Sequence, residues 1–284
     1  MGPENMICQI KFIRCMTRSQ LVQLIKERAS YLCVGLDTDP EKIPGHIRDR
    51  EDAVFHFNKA IIDATRDLCV AYKLNTAFYE SQGLAGWTAM QQTVDYIGDG
   101  HLVIADAKRG DIGNTSTQYA KAFFERIPFD AITVAPYMGE DSVRPFLDFP
   151  GKWTIVLGLT SNPGAADFEL QETGEEKLYE KVLRTVSRWG TPDNLMFVVG
   201  ATQASAFVHI RGLLPDHFFL VPGVGAQGGS LKEISEKAMN ADCGLLVNVS
   251  RGIQYAGDGE DFALRARKEA LKYQQEMSGY LGLA

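Results

Sequence analysis

The sequence has no C-x-x-C pair, and its five cysteines are odd in number and scattered along the chain. Unpaired cysteines in or beside apolar runs are typical of buried thiols in a reducing compartment. No apolar run approaches the length of a membrane span, and the first residues lack an apolar core followed by a small-residue cleavage site. We therefore expect a cytoplasmic protein without a membrane partner.

Several catalytic motifs are missing as well. The chain contains no H-E-x-x-H, G-x-S-x-G or G-K-[ST] sequence, and its five histidines are dispersed. Zinc-dependent, serine hydrolase and P-loop chemistry are therefore not expected. The formal net charge of −7 and the pI near 5.3 argue against a nucleic acid or a membrane surface as partner.

What the chain does contain is an alternation of short apolar runs and longer helical patterns, repeated eight times. The apolar runs predict strands at 31–36, 70–74, 102–106, 130–134, 154–159, 195–200, 218–222 and 244–249. The intervening stretches predict helices at 53–68, 84–97, 114–126, 140–148, 175–189, 202–213, 230–240 and 260–278. Strands that alternate with helices pair in parallel, so we predict an α/β fold, a single-domain (β/α)₈ TIM barrel, with an open doubly wound sheet as the alternative.

The domain boundary is predicted near the N-terminus. No linker or low-complexity segment interrupts residues 16–284, which we assign to the barrel. Residues 1–15 fit no part of the pattern, whereas Met16 opens a sequence that reads as the start of the domain. We therefore expect residues 1–15 to be an N-terminal extension outside the functional core.

The third predicted strand ends in a cluster of charges, in the sequence LVIADAKRGDIG (102–113). Residues two apart on a strand share a face, so Asp106 and Lys108 should both point into the barrel mouth, where such barrels place their chemistry. Lys73 ends the neighbouring strand, and Asp111 lies in the turn that follows. These four charges can form a row of alternating sign that compensates its own burial. A purely structural ion pair is the alternative.

A glycine-rich sequence, PGVGAQGG (222–229), follows the seventh strand, and NVSRGI (248–253) covers the end of the eighth. Exposed backbone N–H groups together with Arg251 can bind phosphate, in the loops where phosphate-binding barrels do so. Three of the glycines also match G-x-G-x-x-G, so a dinucleotide site is the alternative. The next strand ends in Asn-Val-Ser-Arg rather than in the acid that would hold a ribose, which disfavours that alternative.

Together these residues resemble the orotidine 5′-monophosphate decarboxylase family, and most of all its longer bacterial subfamily. The D-x-K-x-x-D-I signature is present as Asp106, Lys108, Asp111 and Ile112. The similarity covers nearly the whole barrel and includes CVGLDTDP (33–40), YKLNTAFYE (72–80), LTSNPGAADF (159–168), VPGVGAQGG (221–229) and SRG (250–252). It implies decarboxylation of orotidine 5′-monophosphate to UMP and CO₂, the last step of UMP (pyrimidine) biosynthesis, by a homodimer that uses no metal or organic cofactor.

The resemblance also implies the catalytic roles. Asp106 would lie beside the substrate carboxylate, and Lys108 would stabilise the charge left at C6 of the pyrimidine and protonate it. Lys73 and Asp37 would hold the ribose hydroxyls. Three residues would reach into the site of the other subunit: Asp111, Ile112 and Thr115.

The other implied contacts bind the two ends of the nucleotide. Ser161 would read the pyrimidine edge, although Thr160 competes with it for this contact, and Pro222 would line the pocket. The implied contacts with the 5′-phosphate come from Gln227, Arg251 and the N–H of Gly252.

Two other functions stay open. One is a metal-dependent sugar-phosphate decarboxylase or aldolase of the same suprafamily, whose carboxylates hold magnesium, one of them near the end of the second strand, where this chain has Lys73. The other is an NAD-dependent oxidoreductase built around the glycines at 223–228.

Overall fold

The computed structural model describes residues 14–202, 205–225 and 228–282. Eight parallel strands close into a barrel, as predicted, and each pairs with its neighbours along the chain while the last pairs with the first. The barrel strands are β1 (Leu32–Gly35), β2 (Ala71–Asn75), β3 (Leu102–Arg109), β4 (Ala131–Val134), β5 (Trp153–Leu159), β6 (Leu195–Val199), β7 (Phe218–Pro222) and β8 (Leu245–Val249). A small antiparallel hairpin, Glu172–Thr173 with Glu176–Lys177, lies outside the barrel.

Helices follow the strands and surround the barrel. The α-helices span Arg18–Arg28, Gly45–Arg48, Ala53–Thr65, Ala77–Glu80, Gly83–Ile97, Gly113–Lys121, Glu140–Leu147, Leu178–Val186, Phe207–Leu213, Leu231–Ala238, Arg251–Gln254 and Phe262–Tyr280. A π-helical turn, Ala122–Arg126, extends one of them, and 3₁₀ turns form at Pro40–Lys42 and Pro163–Ala166. No helix in the described part of the chain is long and apolar enough to cross a membrane.

The predicted strands and helices are confirmed with shifts of a few residues at their ends. The elements that were not predicted are the helix Arg18–Arg28, the hairpin, the one-turn helices Gly45–Arg48, Ala77–Glu80 and Arg251–Gln254, and the two 3₁₀ turns. The helix Arg18–Arg28 begins with a capping box, in which Thr17 and Gln20 bond each other's backbone N–H groups. This T-x-x-Q pattern is a sequence signal for a helix start. The hairpin occupies the first residues of the helix predicted at 175–189, so that helix begins only at Leu178.

The barrel strands are buried on both faces because side chains fill the interior and helices cover the exterior. All residues of β1, β4, β6 and β8 are buried. The exposure pattern of β3 differs, because its first four residues are buried and its last four reach the surface. Burial therefore decreases toward the C-terminal end of this strand, where its charged residues lie.

A charged cluster lies at the opposite, N-terminal end of the barrel. The guanidinium of Arg14 lies 3.0 Å from Asp130 and donates to the carbonyl of His101. Lys152 donates to the carbonyl of Arg14 at 2.6 Å. Burial raises the pKa of Asp130, and the charge of Arg14 opposes this shift. Arg14 lies within the predicted extension of residues 1–15, yet it packs against the barrel; the boundary after residue 15 stays a prediction.

Replacing Arg14 should destabilise the fold because it leaves the carboxylate of Asp130, which is 1% exposed, without its ion-pair partner. We expect Arg14→Ala to lower the free energy of unfolding by about 3–5 kcal/mol, measured by urea denaturation. The deficit should grow as the pH rises above the unfolded pKa of aspartate, about 3.9, because loss of Arg14 raises the pKa of Asp130 further and ionisation of this carboxylate then opposes folding. Arg50→Ala, which removes an exposed ion pair with Asp52, is the control and should change stability little. An unchanged midpoint for Arg14→Ala would contradict this role.

Candidate active site

A cavity of about 370 Å³ opens at the C-terminal ends of the barrel strands. This is the end at which barrels of this class carry their chemistry. The lining residues come from the ends of β1, β2, β3, β7 and β8 and the loops that follow: Asp37, Asp39, Lys42, Lys73, Asn75, Phe78, Asp106, Pro222, Gly223, Val224, Asn248, Ser250, Arg251 and Tyr255. Most are polar or charged, so the cavity suits a polar, charged ligand.

Three of the charged lining side chains, Asp37, Lys73 and Asp106, form a row of alternating sign with Lys108, which is not itself among the lining residues. Lys73 Nζ lies 3.3 Å from Asp37 Oδ1 and 3.0 Å from Asp106 Oδ2. Lys108 Nζ lies 2.6 Å from Asp106 Oδ1. The predicted row thus forms through Lys73, Asp106 and Lys108, but its outer acid is Asp37, whereas Asp111 was expected.

The row keeps its central groups ionised despite their burial. Burial disfavours the carboxylate of Asp106, but the charges of Lys73 and Lys108 outweigh it and lower its pKa. Burial likewise disfavours the ammonium of Lys73, but Asp106 and Asp37 outweigh it and raise its pKa. Each charge therefore depends on its neighbours. Lys108 differs from Lys73 in being half exposed, with 49% of its side chain accessible against 4%.

The backbone of β3 is irregular where this row is built. The register against β4 shifts between Ala105 and Arg109, and Lys108 has a φ of +49°. The side chains of Asp106 and Lys108 meet, as predicted, but the backbone between them is not the regular strand from which that prediction was made. A non-glycine residue whose backbone lies in the left-handed region is destabilised by about 1–3 kcal/mol, so surrounding contacts must hold Lys108 in this conformation.

The opposite side of the cavity is formed by the loops after β7 and β8. Gly223 and Gly225 have φ values of +100° and +73°, a backbone region that favours glycine. Pro222 and Arg251 line the cavity, and Gly252 adjoins Arg251; their predicted contacts with the nucleotide stay predictions. Gln227 lies outside the described residues.

The three residues assigned to the neighbouring subunit do not line the cavity of their own chain. Asp111 Oδ1 accepts the N–H of Ile112 at 2.7 Å, and Asp111 makes no ion pair within the part of the chain that the structure describes. Ile112 is 57% exposed, and Thr115 is exposed in the first turn of Gly113–Lys121. Their side chains are thus accessible at the barrel surface.

The two candidates for the pyrimidine contact have different surroundings. Thr160 Oγ1 lies 2.8 Å from Glu169 Oε1 and 2.6 Å from Asn162 Oδ1. Ser161 Oγ is buried and has no hydrogen-bond partner among the described residues. Ser161 thus keeps an unused hydroxyl at the end of β5.

Several cavity residues were not predicted. Asn248 is 6% exposed, lines the cavity from β8, and its Oδ1 has no partner among the described residues. The sequence contained a signal for this residue, because Asn248 lies two positions before Ser250 and residues two apart on a strand share a face. Asp39, Lys42 and Tyr255 come from irregular or short helical segments, where the sequence gives no periodicity that orients a side chain.

A closed parallel barrel with a row of charged side chains and a polar cavity at the C-terminal ends of its strands has the architecture of a (β/α)₈ barrel enzyme. Comparison with known proteins is more specific. The model of the orotidine 5′-phosphate decarboxylase / HUMPS family matches residues 30–266, and the chain belongs to this family.

Individual relatives agree with the family match. The chain is 58% identical to orotidine 5′-phosphate decarboxylase of Flavobacterium johnsoniae over 266 residues, which cover 93% of this chain and 97% of the relative. It is 57% identical to the enzyme of that name from Phocaeicola vulgatus, over 92% of this chain and 98% of the relative. Among solved structures, Leishmania donovani OMP decarboxylase superposes with a TM-score of 0.81 at 36% identity, covering 93% of this chain and 99% of that one.

Removing the central cation should change stability in a pH-dependent way. We expect Lys73→Met to cost about 3–5 kcal/mol at pH 7, because two largely buried carboxylates, Asp37 and Asp106, lose their shared partner. The lowered pKa of Asp106 stabilises the fold above its unfolded pKa of about 3.9, and this contribution is lost as pH falls. The gap between wild type and variant should therefore narrow from pH 4 toward pH 2 in urea titrations. Lys272→Met, at an exposed pair with Glu269, is the control; a gap independent of pH would contradict the coupling.

Proposed function

We propose that this chain decarboxylates orotidine 5′-monophosphate to UMP and CO₂, the last step of UMP biosynthesis. The observation that carries the proposal is the row of four alternating charges at the barrel mouth, in a chain whose relatives bear the name of this enzyme. Decarboxylation needs a site that accepts an anionic carboxylate and then stabilises the negative charge left on the ring. The lysines of the row attract the anionic substrate, and Lys108 can stabilise the charge left on the ring, whereas the carboxylate of Asp106 favours departure of the substrate carboxylate as CO₂.

In the proposed mechanism, the substrate carboxylate binds next to Asp106. The two lysines keep Asp106 ionised, so it repels the substrate carboxylate, and this repulsion is relieved as CO₂ leaves. The electron pair of the broken bond stays on C6 of the pyrimidine. Lys108, whose ammonium contacts Asp106, stabilises this charge and transfers a proton to C6.

Other residues bind the parts of the nucleotide that do not react. Asp37 and Lys73 hold the ribose hydroxyls, and the unused hydroxyl of Ser161 makes it the better candidate for the pyrimidine edge. Pro222 lines the pocket. The 5′-phosphate is assigned to Gln227, Arg251 and the N–H of Gly252. Phosphate binding energy can orient the ring even though the phosphate does not react.

The proposed reaction requires no metal or organic cofactor, because the charged side chains supply both the repulsion and the proton. In a magnesium-dependent enzyme, Asp37 and Asp106 would be the carboxylates in this cavity best placed to bind the ion. Here both accept hydrogen bonds from Lys73. This donor set favours the metal-independent reaction. The NAD-dependent alternative lacks an acid at the end of β8, where Asn248 lines the cavity instead.

Activity on the nucleotide tests the proposal directly. Purified wild-type protein with a metal chelator should consume orotidine 5′-monophosphate, followed by ultraviolet absorbance without added nicotinamide. Lys108→Ala should lower kcat by at least about 10²–10⁴-fold, because the proton donor and its charge are lost together. Circular dichroism checks that the variant folds. More than about a tenth of wild-type activity in this variant would remove Lys108 from the role of donor.

We also propose a homodimer whose subunits share their active sites. Four large apolar residues are exposed on loops after β3, β4 and β5: Ile112 (57%), Tyr137 (85%), Met138 (49%) and Phe168 (64%). The first two loops run side by side, since Ala135 donates to the carbonyl of Arg109 at 2.8 Å. An exposed apolar cluster of this kind is typical of an interface, and it adjoins Asp111.

The cytoplasm is the proposed compartment. Cys33, Cys69 and Cys243 are buried and unpaired among the described residues, as is usual where thiols stay reduced.

Mixed dimers test the shared site. Lys108→Ala and Asp111→Ala chains should each be nearly inactive as homodimers. If Asp111 serves the other subunit, a mixed dimer has one site with both defects and one with neither. Mixing should then restore up to about half of wild-type activity per heterodimer. Absence of rescue, with heterodimers verified by mass spectrometry, would place Lys108 and Asp111 in one chain's site and leave the decarboxylase proposal intact.

A further inference from the structure

Thr133 is a fully buried residue of β4 that touches both members of the Asp106–Lys108 pair. Its hydroxyl accepts the backbone N–H of Lys108 at 2.9 Å and donates to Asp106 Oδ1 at 2.9 Å. Asp106 Oδ1 is also the oxygen that contacts the Lys108 ammonium. One hydroxyl therefore links the lysine backbone to the carboxylate that its own side chain binds.

The irregularity of β3 explains why a side chain is used here. Ala105 pairs with Ile132 and Arg109 with Val134, so three residues of β3 face only Thr133 on β4. The N–H of Lys108 has no place in a regular backbone ladder at this point, and the threonine hydroxyl accepts it instead. This contact holds a lysine whose φ is in the left-handed region.

We propose that Thr133 is a positioning residue for decarboxylation: it orients the Asp106 carboxylate and fixes the backbone of Lys108. This inference rests on the proposed function. Thr133 is not among the described residues that line the cavity, so it acts through the two residues it holds. Because the hydroxyl accepts from Lys108, its own hydrogen points at Asp106, and the two contacts reinforce each other.

The chain offers a matched control on the adjacent strand. Thr154 of β5 is also fully buried, but its hydroxyl has no hydrogen-bond partner among the described residues. Thr133→Val and Thr154→Val thus make the same chemical change at neighbouring buried positions. Only the first removes hydrogen bonds to the site.

The experiment compares Thr133→Val, Thr133→Ser and Thr154→Val in steady-state kinetics with orotidine 5′-monophosphate. Thr133→Val should lower kcat about 10–100-fold, the range expected for losing a hydrogen bond to a charged group. KM should change less than about threefold, because binding residues are untouched. Thr133→Ser, which keeps the hydroxyl, and Thr154→Val should stay within about threefold of wild type.

A second measurement is independent of activity. Hydrogen exchange of the Lys108 amide, followed by NMR, should be slow in wild type and in Thr133→Ser and faster in Thr133→Val. An inactive wild-type protein would refute the proposed function. Hydrogen exchange of the Lys108 amide would still show whether Thr133 holds the backbone of Lys108. If wild type is active and Thr133→Val retains its kcat and amide protection, the inference is overturned.

The serine and alanine variants cover the case in which Thr133→Val does not fold. Thr133→Ser and Thr133→Ala both lack the Cγ2 methyl group of threonine, and they differ from each other only in the hydroxyl group. Thr133→Ala should then show the lower kcat and the faster Lys108 exchange. Equal kcat and exchange in the two variants would assign the role of Thr133 to packing and overturn the inference.

Discussion

The ion pairs of Asp106 are the constraint on which the site depends. A buried carboxylate is stable in ionised form only when cations and hydrogen bonds replace its hydration. Asp106 has Lys73 on one oxygen and Lys108 on the other, and Asp37 in turn balances Lys73. Because each member needs its neighbours, the residues at the ends of β1, β2 and β3 act as one unit. This coupling sets both the charge and the position of the groups proposed to carry out the reaction.

Sequence patterns predicted the architecture well because the barrel depends on repetition. Eight apolar runs that alternate with amphipathic stretches leave few ways to bury all strands, and a closed barrel is one of them. The helix at Arg18–Arg28 escaped prediction although its Thr17–Gln20 capping box is legible in the sequence. The hairpin at 172–177 has strands of two residues each, too short for any periodic signal.

The site was less accessible from the sequence because its geometry depends on departures from periodicity. Alternation on a regular strand suggested that Asp106 and Lys108 meet, but a register shift and a left-handed Lys108 bring them together. Neither Thr133 nor Asp37 could be placed against them by spacing alone. Thr133 belongs to the next strand, and its contact exists only because β3 bulges there. Motifs thus identify the charged residues, whereas the fold determines their partners.

The asymmetry of the row gives a reason for the proposed shared site. Lys73 is enclosed by two carboxylates of its own chain, but Lys108 pairs with only one among the described residues, and half of its side chain is exposed to solvent. Because Lys108 is partly exposed, its ammonium can pair with a second carboxylate. Asp111 follows it in the same loop and makes no ion pair among the described residues of its own chain. If Asp111 of each subunit reached the site of the other subunit, Lys108 would lie between two carboxylates, as Lys73 does. The exposed apolar residues beside Asp111 would supply the burial that such an arrangement requires.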